Sequence, residues 1–316
     1  MSRLDIPHFF SKPQSVRLIV ATTSAALIAY SLLGGTFPVP IQYGIVFILV
    51  GVVGMAHGSI DHIIAKDVLN IVPRRSTLLF VSVYLGVIAL YVALWYISPL
   101  ISFILFIAYS SFHFGQADTE VLAARLSKPA VVVLGTTYGL FIISAMIFFN
   151  AHYTTSICPD WFMQIIPKDL MITTSNYIFY VSLLSLVVQL MYHGVKGKTS
   201  WLTMTKFIIQ LSFVLVGFMV LPPLVAFSVY FGLWHALLVL KKEYKEVRKL
   251  KIIQSFNHFI RALTPFTLIS LAAMMLIIYL GSNTAHFTTI IAISVLAFPH
   301  TILMHLLYHK KTETLT

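Results

Sequence analysis

Twelve histidines punctuate a chain of 316 residues in which 59% of the side chains are hydrophobic and only 10% are charged. Five of them, His8, His152, His193, His258 and His286, fall in or near polar breaks and carry no argument. The other seven fall within apolar runs or at their ends, where a polar ring is costly unless it is paired or put to use. Taken singly, each reads more readily as a hydrogen-bonded packing residue than as a ligand. Their arrangement is the stronger signal: the apolar runs that begin at 43, 99, 223 and 287 hold His57, His113, His235 and His300 at 14, 14, 12 and 13 residues from their starts. If those runs are helices, a rise of about 1.5 Å per residue puts all four imidazoles at a common depth of roughly 18–21 Å. Imidazoles that converge in a helix bundle suit a first-row transition metal such as Fe, Zn or Cu. A haem held by two of them is the competing chemistry, and four at one level suit a single bare ion better. A lone cysteine, Cys158, excludes an internal disulfide and any Cys-based metal cluster.

Flanking polar residues supply candidates to orient such ligands. Asp61 follows His57 by four residues, and Gln116 and Asp118 follow His113 by three and five. Ligating imidazoles usually donate their second N–H to acceptors of this kind, and a carboxylate also offsets the charge of the ion. The alternative is that Asp61 and Asp118 only cap cytoplasmic helix ends. Gly54, Gly58 and Gly115 would let helices approach closely beside the histidines. His62 and His305 each come five residues after a proposed ligand, about 140° round a helix, so neither readily shares the same ion. The dense histidine boxes of a di-iron membrane enzyme are not found.

Positioning four histidines at one depth requires spanning helices. Apolar runs cut by turn residues predict ten, at about 18–33, 43–64, 77–97, 99–117, 129–149, 176–192, 206–221, 223–241, 263–281 and 287–308. Ser98-Pro99 and Pro222-Pro223 each mark a tight hairpin, because proline ends helices. The charges give an independent check, since Lys and Arg collect in cytoplasmic loops. With the N-terminus inside, 20 of the 21 Lys and Arg fall on the cytoplasmic side and only Lys168 falls outside. The expectation is an all-α polytopic transmembrane helix bundle, N-in and C-in, forming one integral-membrane domain over 1–316. No cleavable signal is expected, since the run after Arg17 continues to Leu33 without a cleavage site. Residues 150–175 form the one long external loop, with Trp161, Phe162, Met163, Ile165 and Ile166 predicting a short interfacial helix. The basic stretch Lys241–Lys251 reads as a solvated continuation of the eighth span. A net charge of +11 spread over the breaks, not gathered on one face, excludes nucleic acid as a partner.

Two segments, Gly54-Met55-Ala56-His57-Gly58-Ser59-Ile60-Asp61-His62 and Phe112-His113-Phe114-Gly115-Gln116-Ala117-Asp118, resemble the hallmark motifs of the Brp/Blh family of membrane-integral β-carotene 15,15′-dioxygenases. Tyr230-Phe231-Gly232-Leu233-Trp234-His235-Ala236 is similar to a third family motif, and Pro299-His300 to a late one. The resemblance runs in family order over most of the chain, with two departures. Ala56 stands where the family usually has proline, and Val239 stands where it commonly has a second histidine. On that basis His300 completes the ligand set, or the set has three histidines, or the chain is a divergent member with altered activity.

The resemblance implies an Fe(II)-dependent enzyme of the cell membrane that cleaves the central double bond of β-carotene with O₂ to give retinal. Its partners would be β-carotene, O₂ and membrane lipids, with a retinal-binding rhodopsin as a further candidate. His57, His113, His235 and His300 would be the catalytic iron ligands. Tyr109, Phe112, Phe114, Tyr230, Phe231 and Trp234 would line a path for the polyene, although aromatics at helical spacing also serve as plain packing. Rival functions are a metal or proton transporter and a non-catalytic retinoid-handling protein. A transporter favours internal repeats, broken helices and midplane carboxylates, and none is evident.

Overall fold

The computed structural model describes residues 13–71, 73, 76–280 and 285–313, with side chains for 16–71, 73, 76–280 and 286–308. His8, Arg3, Lys12, Arg74 and Arg75, and the side chains of Lys310 and Lys311, therefore lie outside the described residues. Within them every regular element is a helix: α1 (Pro13–Leu32), α2 (Val39–Val68), α3 (Thr77–Ile97), α4 (Pro99–Ala123), α5 (Lys128–Phe149), α6 (Ala151–Ser156), α7 (Asp160–Ile165), α8 (Lys168–Val195), α9 (Trp201–Val220), α10 (Pro223–Lys249), α11 (Phe256–Leu280) and α12 (Ala285–Glu313). Nine of the described helices, α2–α5 and α8–α12, are long and apolar enough to cross a membrane. The chain is an all-α, multi-pass membrane protein. The first of the ten expected spans is the exception, because the apolar stretch Val16–Leu32 of α1 is shorter than the other nine and extends only about 25 Å.

Local chemistry sets the helix ends. Ser98 closes α3 by donating its N–H to the Leu94 carbonyl at 2.8 Å, and its Oγ accepts the Ile101 N–H at 3.4 Å to open α4. Pro99 follows at the first helical position, where its missing N–H costs nothing. α2 and α10 are not uniformly wound. Both contain π-helical stretches, Phe47–Gly54 and Ile64–Val68 in α2 and Val229–Leu237 in α10.

The chain divides into two compact units, one of residues 1–60 and 209–271 and the other of 61–208 and 272–316. In the first, α10 packs on the N-terminal part of α2 through small residues. A Cβ on Gly232 would strike the backbone of Leu49, and one on Gly54 would strike the Phe231 ring. Trp234 Nε1 donates to Ser24 Oγ of α1 at 3.0 Å, and Ser31 Oγ donates to the Val220 carbonyl at 2.7 Å.

In the second unit α4 and α5 meet backbone to backbone, where a Cβ on Gly115 would overlap the Gly135 carbonyl and one on Gly139 the Ser111 carbonyl. Such contact between small residues is how helices associate where lipid supplies no hydrophobic drive. α12 is pinned before His300: Tyr109 Oη donates to the Ser294 carbonyl at 2.6 Å, Trp95 Nε1 donates to Ser294 Oγ at 3.1 Å, and Phe298 stacks on Tyr91 at 4.4 Å between centroids. The loop between α5 and α8 is shorter than the expected 150–175, since α8 starts at Lys168, and it holds two short helices, not one. Phe162 on α7 is fully buried, with its ring centroid 5.2 Å from Phe103 and 4.7 Å from Phe287, while Trp161 stays exposed.

Candidate metal centre

Each unit contains a buried pair of histidines with a carboxylate on one of them. In the first unit His57 of α2 is 3% exposed and His235 of α10 is 0% exposed. Their rings meet edge to face, with centroids 5.5 Å apart and planes at 85°. His57 Nδ1 lies 3.4 Å from Oε2 of Glu243, which sits two turns beyond His235 on α10. Phe231 flanks His235 nearly in parallel, with centroids 6.1 Å apart, and Phe227 stacks on Phe231 at 5.5 Å.

The second unit repeats the motif. His113 of α4 and His300 of α12 are buried, and their rings also meet edge to face, with centroids 5.1 Å apart and planes at 82°. A ring nitrogen of one lies within 4.8 Å of a ring nitrogen of the other. His300 Nδ1 is held by both oxygens of Asp61, at 2.9 and 3.1 Å. Tyr84 of α3 donates its hydroxyl to Asp61 Oδ2 at 3.0 Å.

This chemistry suits a divalent transition-metal ion. An ionised carboxylate only accepts hydrogen bonds, so the Nδ1 it faces carries the proton and the Nε2 lone pair is left for a metal. Buried carboxylates also bring negative charge that is costly in a low dielectric unless something positive meets it. Glu243 Oε1 is a buried acceptor with no hydrogen-bond partner among the described residues.

The other residues singled out in the sequence take varied places. Asp61 meets His300, a partner that its four-residue spacing from His57 could not have indicated. Asp118 and Gln116 are half-buried on α4. Asp118 lies near the Tyr138 hydroxyl, and the Gln116 backbone borders the close approach of α4 to Gly135. Phe114 packs beside His113 at 5.9 Å between centroids, whereas Phe112 lies 5.3 Å from His305, which is exposed. Tyr109, Tyr230 and Trp234 are engaged in packing, against Phe298, Phe218 and Phe213 respectively. His62 is half-buried.

Sequence reasoning missed Glu243 and Tyr84. Glu243 stands in a basic stretch read as solvated, yet Val239, Leu240, Glu243, Tyr244 and Val247 are all buried, which is the i, i+1, i+4, i+5, i+8 spacing of one helix face. That periodicity was the available signal. Tyr84 sits among apolar residues of α3 and nothing in its surroundings marks it.

Comparison with known proteins fits this geometry. No curated protein and no solved structure matches the chain. A family model described as beta-carotene 15,15′-dioxygenase matches residues 48–308, a span that includes the four paired histidines together with Asp61 and Glu243. The chain belongs to the β-carotene 15,15′-dioxygenase family.

Proposed function

We propose that this member of the family is an Fe(II)-dependent enzyme of the cytoplasmic membrane that cleaves the central 15,15′ double bond of β-carotene with O₂, giving two molecules of retinal. His57, His113, His235 and His300 supply the ligands. The observation that carries this reading is the recurrence in each unit of a buried edge-to-face histidine pair with one Nδ1 on a carboxylate. When bound, Fe(II) supplies the chemistry that lets O₂ react with a closed-shell polyene. Both oxygen atoms of O₂ end in the two aldehydes, so the balance needs no external reductant.

The chain's own residues have simpler tasks. Asp61 keeps the proton of His300 on Nδ1, and Tyr84 holds Asp61 in place. Phe231 and Phe227 present a stacked apolar face beside His235, suited to a flat hydrocarbon and unsuited to water. A C40 hydrocarbon partitions into lipid, so a substrate path that opens laterally between spanning helices is the economical route. The test is metal analysis of purified protein together with retinal formation in carotene-producing cells. Stoichiometric iron and retinal are expected. Purified protein that takes up iron but forms no retinal under aerobic conditions overturns the cleavage reading.

A further inference from the structure

Glu243 is the least expected of the buried groups, because it is an acidic residue in the basic stretch Lys241–Lys251 and yet only 6% exposed. Its Oε2 faces His57 Nδ1 at 3.4 Å, and its Oε1 has no hydrogen-bond partner among the described residues. Asp61 offers the comparison within the same chain, since it stands on Nδ1 of His300 in the same relation. In each unit the carboxylate contacts one histidine of the pair through Nδ1, and in each the second histidine meets the first edge to face.

We infer that Glu243 is a positioning residue for the metal, the counterpart of Asp61: it fixes the proton of His57 on Nδ1, turns Nε2 outward and supplies negative charge against a dication. This rests on the reading that these histidines hold a metal, though not on the identity of the reaction. An uncharged side chain of the same shape would keep an acceptor for the Nδ1 proton while removing the charge, and alanine would remove both. The two functions therefore separate experimentally.

The experiment uses the full chain in detergent, stripped of metal and titrated with Co(II), whose d–d absorption reports histidine ligation. Glu243→Ala is expected to weaken Co(II) binding by roughly 10–100-fold, the usual effect of losing a group that orients a ligand, and Glu243→Gln by less. Both variants should reach the wild-type band positions at saturation, and their metal-free melting temperatures should match wild type. Glu243→Gln is nearly isosteric and carries the test if the alanine variant does not fold. Unchanged Co(II) affinity in Glu243→Gln and Glu243→Ala, or lowered metal-free melting without a change in affinity, overturns the proposal. Bands displaced at saturation in Glu243→Gln overturn it too, because they would make Glu243 a ligand. Wild-type protein that binds Co(II) but forms no retinal from β-carotene with iron defeats the cleavage reading alone and leaves the role of Glu243 standing.

Discussion

The imidazole of His300 on α12 is gripped at Nδ1 by Asp61, 239 residues earlier in the chain, through contacts of 2.9 and 3.1 Å to both carboxylate oxygens. Tyr84 completes the chain of hydrogen bonds by donating to Asp61 Oδ2 at 3.0 Å. A ring held in this way has one orientation and one tautomer, which is what a metal ligand requires. The contact also joins the end of the first hallmark segment to the last helix, so residues near both ends of the family match bear on one side chain.

Asp61→Asn should therefore lower iron content or activity by roughly 10–100-fold. Tyr84→Phe, which removes only the outer hydrogen bond, should cost less. Metal analysis of purified variants checks the order, and wild-type iron content in Asp61→Asn would reduce the contact to packing.

His300→Ala should abolish iron binding and retinal formation as completely as His57→Ala. Val239, which is buried one turn beyond His235, should gain little from substitution by histidine. An inactive wild type that recovers activity as Val239→His would show that the fourth ligand belongs at 239 and not at 300.

Gly115 and Gly139 face backbone carbonyls across the α4–α5 contact. Leucine at either position should cost about 1–3 kcal/mol or more, since neither helix backbone can give way. Gly86, with nothing within 4 Å of a built Cβ, should accept alanine unchanged. Thermal melting in detergent compares the three, and equal melting temperatures would contradict the close approach.

Burial pushes the Cys158 thiol up to about 11, and its Sγ lies 3.2 Å from the Thr154 carbonyl. At pH 8 only about 0.1% of a thiol with such a pKa is thiolate, against roughly a quarter for a free cysteine of pKa about 8.5. Alkylation should be slow at pH 8 and accelerate about tenfold per pH unit up to 10. Rapid labelling at pH 7, followed by mass spectrometry, would contradict the burial.

Reporter fusions bear on topology. A fusion after residue 316 should report inside, and one within 157–159 outside, following the distribution of Lys and Arg. An outside signal at the C-terminus would mean that α1 does not cross and that an odd number of helices does.

The long helices were legible because twenty-residue apolar runs have few other uses, and the histidines because polar rings stand out against them. The pairings were not. Asp61 lies four residues from His57, and local spacing suggested that partner, but the carboxylate is committed to His300, a relation set by tertiary packing that no sequence window contains. Glu243 was hidden by its neighbours: Lys245, Arg248 and Lys249 are exposed on one side of α10 while Glu243 turns to the other. Phe162 likewise had the look of a membrane-surface residue and is instead fully buried between Phe103 and Phe287.

The π-helical stretch Val229–Leu237 in α10 has a bearing on how such a chain can change length. A wide turn of this kind takes up one residue more than ordinary winding does, with hydrogen bonds reaching to the fifth residue instead of the fourth. Removing a single residue there would let the helix relax to regular winding and leave everything downstream near its present angular position, whereas the same deletion in a regularly wound stretch would swing it by about 100°. The widened turn thus buffers the register of α10, and a one-residue deletion in this stretch is a milder lesion than one in its regularly wound part.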